Sequence, residues 1–463
     1  MRRDLRLSDN GALSYAVASG RPVIPVFIYD ELPAGLGAAS KWRLGLGLEY
    51  LKRSYNAVSS RLILRAGDAQ AVLDQLISET GARSVVWNRL YEPKARMRDV
   101  EIKKTLKARG LEVKSFEGML LFEPWSVETG GGSYYRVYTP FWNNVRQRNV
   151  TEELPSPKSI QTPSEWPSSD ILETWCLADA MNRGADVVEP YLRVGEAAAH
   201  KRLDDFIAHN VQDYKHLRDI PSRPATSDLS ENLALGEISP ARCWHACRVV
   251  LEKFGEGAEI FLKELAWREF AYHLMYHTPH ILSENWKSDW DQFPWKTDES
   301  APHVLAWKQG RTGIPFVDAA MREMYVTGRM HNRGRMIVAS YLTKHLMFHW
   351  KIGQRWFEEC LVDWDPASNA MGWQWSSGSG PDATPFFRIF NAETQLQKFD
   401  PSGKYVQRWV AELSNDSPET ALDFFDAIPK NWKLNSTMSY CNPIVTMSEG
   451  RKRALDAYKS RSI

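Results

Sequence analysis

The sequence predicts an α/β domain followed by an all-α domain. Short apolar runs rich in β-branched residues alternate with helical patterns as far as about residue 125, the pattern of a parallel sheet covered on both faces. From about residue 190 onward helical periodicity runs almost alone. At 463 residues the chain exceeds what one core usually supports, so two domains are the default. The expected division is an α/β domain at 1–125, a connector at 126–190 and a helical domain at 191–463.

Taken in order, the strands are expected at 23–29, 61–65 and 83–88, and the helices between them at 40–59, 69–79 and 94–109. This describes a doubly wound parallel sheet. The opening Met1-Arg2-Arg3-Asp4-Leu5-Arg6-Leu7-Ser8-Asp9-Asn10 reads as the loop after a strand, with Ser8 or Asp9 capping a helix at 11–19. No strand precedes it, so either the sheet lacks its first strand or the sequence begins inside the true reading frame. A sheet without that strand implies a weakened α/β domain. Residues 126–170 hold Gly130-Gly131-Gly132, Pro155, Pro157, Pro163 and Pro167 among Ser and Thr, the composition of a surface connector. The second domain shows helical spacing at 195–209, 239–254, 258–276, 315–327, 331–349 and 354–361, with a charged helix at 447–459.

Composition narrows the function classes. Hydrophobic residues make up 43% and charged residues 25%, as in an ordinary globular protein. A formal net charge of +1 excludes a globally basic nucleic-acid coat but leaves room for a local patch. Nineteen Trp, crowded into the later two-thirds, suggest stacking or electron chemistry as well as packing. No run approaches the ~20 apolar residues of a membrane span, and no signal peptide opens the chain. The five scattered cysteines fit reduced thiols better than disulfides or a metal set, so a reducing, cytoplasmic compartment and no metal are expected.

Three stretches carry chemistry. Between Gly328 and Arg388, Asn332, Arg335, Asp363, Asp365 and Asn369 recur where helices should bury surface. Asn332, Arg335 and Met336 stand at i, i+3 and i+4, on one helical face. Buried charges and amides need partners, so this set fits either a flat polar ligand or an internal ion-pair network. Ala225-Thr226-Ser227-Asp228-Leu229-Ser230 places hydroxyls before a helical turn at Leu233–Leu235, suited to a phosphate or to ordinary capping. Glu264, Trp267 and Arg268 share a face that offers a carboxylate, a stacking plate and a guanidinium; an amphipathic helix with a core Trp has the same spacing.

Several longer motifs stand in one order. They are Trp-Arg-Glu-Phe at 267–270, Gly-Arg-Thr-Gly-Ile-Pro at 310–315, Met-His-Asn-Arg-Gly-Arg-Met at 330–336, Gly-Trp-Gln-Trp at 372–375 and Phe-Arg-Ile-Phe-Asn at 387–391. Together with the opening residues they resemble the photolyase/cryptochrome family, and most closely microbial cyclobutane pyrimidine dimer photolyases of the branch near plant cryptochromes. The resemblance implies an α/β antenna domain and a helical domain that holds FAD in a bent form. It implies that Tyr214, Thr226, Ser227, Leu229 and Ser230 hold the FAD phosphates and ribityl side, and that Arg268, Asn332 and Arg335 line the flavin with Arg335 paired to Asp363. By the same resemblance Asp365 accepts a hydrogen bond from the ring system and Asn369 faces flavin N5.

Glu264, Trp267, Met336 and Trp375 match positions that meet a damaged base pair, and Arg218, Arg333, Arg388 and Lys398 match positions beside DNA phosphates. Trp373, Trp350 and Trp295 match a tryptophan relay to the surface. The resemblance therefore implies a monomeric enzyme that uses blue light to repair cyclobutane pyrimidine dimers in ultraviolet-damaged DNA. Asn369 and Trp375 favour repair over a cryptochrome-type photoreceptor. Asn332, beside His331, favours cyclobutane dimers over (6-4) photoproducts, whose enzymes carry paired histidines there. Lys94 and Ala95 depart from the folate-binding pattern, and methenyltetrahydrofolate is the first expectation for the antenna. A helical nucleic-acid-binding module without catalysis is the rival from another class.

Overall fold

In the computed structural model, residues 1–414 and 416–460 are described. They form two compact units. The first comprises 1–180, 193–212 and 227–279, the second 181–192, 213–226 and 280–463. The division thus falls far from residue 190: the helices between 196 and 279 gather with the N-terminal residues. The contacts explain why. Leu5 N donates to Leu235 O at 3.2 Å, and Leu7 N and Ser8 N donate to the Glu196 carboxylate at 2.8 and 2.9 Å.

Unit one begins with α1 (Gly11–Ala18). Its cap is Asn10, whose side chain accepts from Leu13 N at 3.1 Å, in place of the expected Ser8 or Asp9. There follow β1 (Val26–Tyr29), α2 (Ala38–Ala57), β2 (Ile63–Ala66), α3 (Ala69–Thr80), β3 (Ser84–Asn88), α4 (Pro93–Ala108) and β4 (Glu112–Phe116). Here α3 is typical of how local sequence sets the ends: Asp68 accepts from Ala71 N, and Gly81 closes the helix at φ 65°. The strands pair in parallel, as expected, but as two separate pairs, β1–β2 and β3–β4, in place of one continuous sheet. The first residues reach both pairs: the Met1 ammonium donates to Val26 O at 2.7 Å, and the Arg2 guanidinium donates to Asn88 O.

The supposed connector is more structured than its glycines and prolines suggest. It contains α5 (Tyr138–Val145), and further on Asp170 N donates to Leu64 O while Leu64 N donates to Ser169 Oγ, so this segment covers the open edge of β2. Unit one then adds α6 (Glu196–His209), α7 (Ser230–Leu235), α8 (Pro240–Val249) and α9 (Leu251–His277). Gly255, at φ 46°, breaks α9 near its start, where the sequence pattern also stops between 254 and 258. Leu5, Phe27, Leu44, Leu48 and Leu64 form its main core.

Unit two is helical: α10 (Pro302–Lys308), α11 (Pro315–Thr327), α12 (Asn332–Ser340), α13 (Trp350–Cys360), α14 (Pro366–Ser377), α15 (Ala392–Phe399), α16 (Lys404–Trp409), α17 (Glu419–Ala427) and α18 (Met447–Ser460). The helix expected at 331–349 is cut short. It passes into a π turn at Tyr341–His345, and α13 restarts at Trp350 with His349 as its cap, four residues before the expected 354. The Gly-Arg-Thr-Gly-Ile-Pro motif is a docking point: Gly313, at φ 74°, lies so close to Asn442 and Pro443 that a Cβ would stand 2.4 Å from them. Tyr440 then donates to buried Asp318 at 2.6 Å. Trp307, Trp350, Phe357, Trp373, Tyr405 and Phe424 fill the core of this unit.

Candidate functional site

In unit two, the turn before α12 and the start of α14 bring the charged candidates together. Arg335 Nη2 donates to Asp363 Oδ2 at 2.7 Å, and its Nε donates to Met330 O at 2.8 Å. Asp363 is 8% exposed, and its second oxygen, Oδ1, is buried without a hydrogen-bond partner among the described residues. Asp365, 9% exposed, caps α14 by accepting from Ser368 N at 2.8 Å, and Pro366 supplies the preset first turn. Asn369 stands one turn further along the same face. Its Nδ2 donates to Gln354 O at 3.0 Å, and its amide oxygen has no partner among the described residues. The expected burial of all five polar residues holds only for Asp363 and Asp365. Arg335 and Asn369 are half-buried, and Asn332, at the open first turn of α12, is exposed.

Buried carboxylate oxygens are seldom left unpaired. The open Oδ1 of Asp363, close to the half-buried Arg335, therefore fits a ligand with hydrogen-bond donors, as a flavin has.

Trp373 is 2% exposed, with its indole against Phe357 and Trp307 at 5.0 and 6.1 Å. Trp350 is fully buried and donates to Asn285 Oδ1 at 2.7 Å. Trp295 donates to Thr343 O at 3.1 Å and stacks on Trp290 at 5.5 Å. His349 lies against both Trp295 and Trp350, at 5.1 and 5.4 Å. Trp295, expected near the surface, is only 8% exposed because Phe293 and Trp290 cover it.

Cations gather on the same unit. A cavity of about 470 Å³ is lined by His216, Asp219, Arg333, Phe390, Lys398 and Phe399 among others. Arg333 pairs with Asp219 at 2.7 Å, lies 4.3 Å over the Phe399 ring, and approaches the Met336 sulfur at 3.9 Å. Arg218 lies 5.3 Å over the ring of buried Tyr214. Arg388 and Lys398 are exposed, Thr226 is half-buried, and Trp375 packs on Phe390 at 6.4 Å. Glu323 was not foreseen. Its carboxylate accepts from Tyr405 Oη at 2.5 Å and from His331 N at 3.1 Å, which ties down the turn before α12.

In unit one, Glu264, Trp267 and Arg268 share α9. Trp267 is stacked on Tyr138 with ring centres 3.5 Å apart, so one face of that plate is already taken. Arg268 donates to Met119 O at 2.9 Å and pairs with buried Glu269 at 3.3 Å. Burial pushes the Glu269 carboxyl up to about 7 against the opposing pull of Arg268. Ser227 is half-buried, Leu229 buried and Ser230 exposed.

A buried network missed at the sequence level holds this loop. Arg43 is fork-bonded to Glu237 at 2.9 and 2.6 Å and bonded to Glu231 at 3.0 Å, all three fully buried. Arg202 adds a bond to Asp228 O at 2.9 Å. Nothing in the spacing of Arg43, Glu231 and Glu237 marks them, since each sits where a helix could show a charge to water.

Comparison with known proteins finds matches at both ends of the chain. A model of the DNA photolyase family matches residues 1–158, and one for the FAD binding domain of DNA photolyase matches residues 261–460. The chain belongs to the photolyase/cryptochrome family, and residues 261–460 are its FAD-binding domain. It is 45% identical over 463 residues to the deoxyribodipyrimidine photo-lyase of Agrobacterium fabrum, covering 99% of this chain and 96% of that one. Cryptochrome-1 of Arabidopsis thaliana is 33% identical over 485 residues, covering 98% of this chain and 69% of that one. Among solved structures, a bacterial class III photolyase from Agrobacterium tumefaciens superposes with a TM-score of 0.92 at 44% identity, covering 99% and 96% of the two chains.

Proposed function

We propose that this protein is a deoxyribodipyrimidine photo-lyase: it uses blue light to split cyclobutane pyrimidine dimers in ultraviolet-damaged DNA. The observation that carries the reading is the Arg335–Asp363 pair with its open buried oxygen, within a domain matched to FAD binding. Bound and reduced, FAD supplies the photoexcited electron that opens the cyclobutane ring.

The chain's residues do the positioning. Arg335, Asp363 and Asp365 offer the flavin one cation and two carboxylates whose geometry is already fixed by the protein. Asn369, held by Gln354 O, presents an amide at the position read as facing flavin N5. An amide accepts or donates a hydrogen bond without exchanging a proton, which suits a fully reduced cofactor. Arg268 and Asn332 are read as further flavin-lining groups, and Tyr214, Thr226, Ser227, Leu229 and Ser230 as the phosphate and ribityl side. Arg218, Arg333, Arg388 and Lys398 hold DNA phosphates. Glu264, Trp267, Met336 and Trp375 receive the dimer once it leaves the stack. Trp373, Trp350 and Trp295 form the relay, supported by the aromatic contacts around them.

For the antenna the reading stays with methenyltetrahydrofolate, on resemblance alone. Ala95 is buried in α4 and Lys94 is exposed. No described helix is long and apolar enough to cross a membrane. The five unpaired cysteines support a reducing compartment, the cytoplasm, and a monomer is expected.

The likeness to a plant cryptochrome supports a second reading, a photoreceptor without repair. Purified protein irradiated with blue light over dimer-containing oligonucleotide decides between them. Restored thymines support repair, flavin photoreduction without restoration supports the photoreceptor, and colourless protein contradicts both. An absorption spectrum of the same sample identifies the second chromophore.

A further inference from the structure

Lys344 is fully buried and sits in the π turn Tyr341–His345. Single π turns inside helices concentrate at functional positions. A buried ammonium needs acceptors, and Lys344 has one among the described residues: Nζ donates to Arg388 O at 3.3 Å. Nζ also stands 5.3 Å from the ring centre of Phe386, which is wedged between Trp290 and Phe293 at 5.2 and 5.0 Å and stacked on Tyr458 at 5.2 Å. Both contacts fall in residues 385–391, a segment without helix or strand. That segment carries exposed Arg388, exposed Phe387, and Phe390 against Trp375. None of the flavin, relay or DNA roles above uses Lys344.

We propose that Lys344 is a positioning residue for DNA: its ammonium grips the Arg388 carbonyl from below and holds 385–391 in the shape that presents Arg388 to a strand phosphate. This rests on the reading of Arg388 as a phosphate contact. The grip depends on charge, because an ionised donor makes a markedly stronger hydrogen bond than a neutral amine. Burial pushes Lys344 down to about 7, so it sheds its proton in the neutral to mildly alkaline range.

The titratable groups that contacts place around the turn are Tyr341 and His345 on it and Arg453 and Tyr458 on α18. Burial holds His345 down to about 4 and Tyr341 above its ordinary range, so neither titrates near 7. The sign is distinctive. A lysine held below its unfolded value favours the neutral folded form, so its contribution to stability improves as pH rises from about 7 towards the ordinary lysine range. The grip on Arg388 weakens over the same interval. A purely structural lysine would not make stability and DNA affinity move in opposite directions.

The test compares wild type, Lys344→Met and Lys344→Arg between about pH 6 and pH 9. Three readouts are taken: melting temperature, amide hydrogen exchange of 385–391, and affinity for a thymine-dimer oligonucleotide. In wild type, affinity should fall by on the order of tenfold and exchange of 385–391, corrected for its intrinsic pH dependence, should accelerate. The Met variant should bind weakly at every pH without that step, and the Arg variant should keep its affinity at the alkaline end. A step that persists in Lys344→Met, or unchanged exchange of 385–391, overturns the proposal. If neither variant folds, corrected exchange of 385–391 in wild type that does not change with pH overturns it. Wild-type protein that shows no preference for dimer DNA at any pH would instead refute the repair reading on which this one stands.

Discussion

Gly353 on α13 lies flat against the indole of Trp373 on α14: a Cβ added there would stand 2.0 Å from the ring. The glycine is what lets the two helices close over the first member of the proposed relay. Gly353→Ala should cost about 1–3 kcal/mol through overpacking. It should also slow light-driven flavin reduction at equal flavin content, because the ring must move. Transient absorption together with thermal melts checks both. Loss of stability with unchanged photoreduction would remove Trp373 from the relay.

Asp363 links Arg335, proposed to line the flavin, to the buried interior. Asp363→Ala leaves Arg335 without its carboxylate, at a cost on the order of 2 kcal/mol, enough to weaken flavin retention more than tenfold. Asp363→Asn, which keeps an acceptor, should lose less. Equilibrium dialysis of flavin from the three proteins gives the order.

Lys398 is exposed and lines the same cavity as Arg333. If both touch phosphates, Lys398→Ala should lower the slope of log affinity against log salt by about 0.9, with the preference for damaged over undamaged DNA unchanged. A lost preference with an unchanged slope would make Lys398 a reader of the lesion instead.

Arg43→Met leaves buried Glu237 without its cation, while Glu231 keeps its pair with Arg202. Breaking a buried pair from one side typically costs about 3–5 kcal/mol. Denaturant unfolding should show that loss, and adding Glu237→Gln should recover part of it. Full stability in the single variant would mean that the network is dispensable.

Much of this fold is written in local sequence. Spacing places α3, α4, α6 and α11 within a residue or so, since amphipathic helices with sharp caps such as Asp68 and Gly81 announce their ends. The Arg335–Asp363 pair follows from the resemblance and is present at 2.7 Å. Other features escape because they depend on partners distant in sequence. In β4, Glu112 and Lys114 look like helix-surface charges until Val113 pairs with Val85. The helix at 331–349 hides its π turn, since the break at Met347, where φ is 61°, is a tertiary matter. Arg43, Glu231 and Glu323 look like surface charges in the sequence; only the fold reveals their partners.

The helical unit is proposed to hold a flavin whose photoelectron reaches a pyrimidine dimer. The decisive measurement is anaerobic blue-light irradiation of reduced, flavin-loaded protein with a single-dimer oligonucleotide, with intact thymine counted against photons absorbed. Restored thymine should rise in proportion to absorbed photons and be absent in the dark. Flavin that absorbs the light while the dimer persists would contradict it.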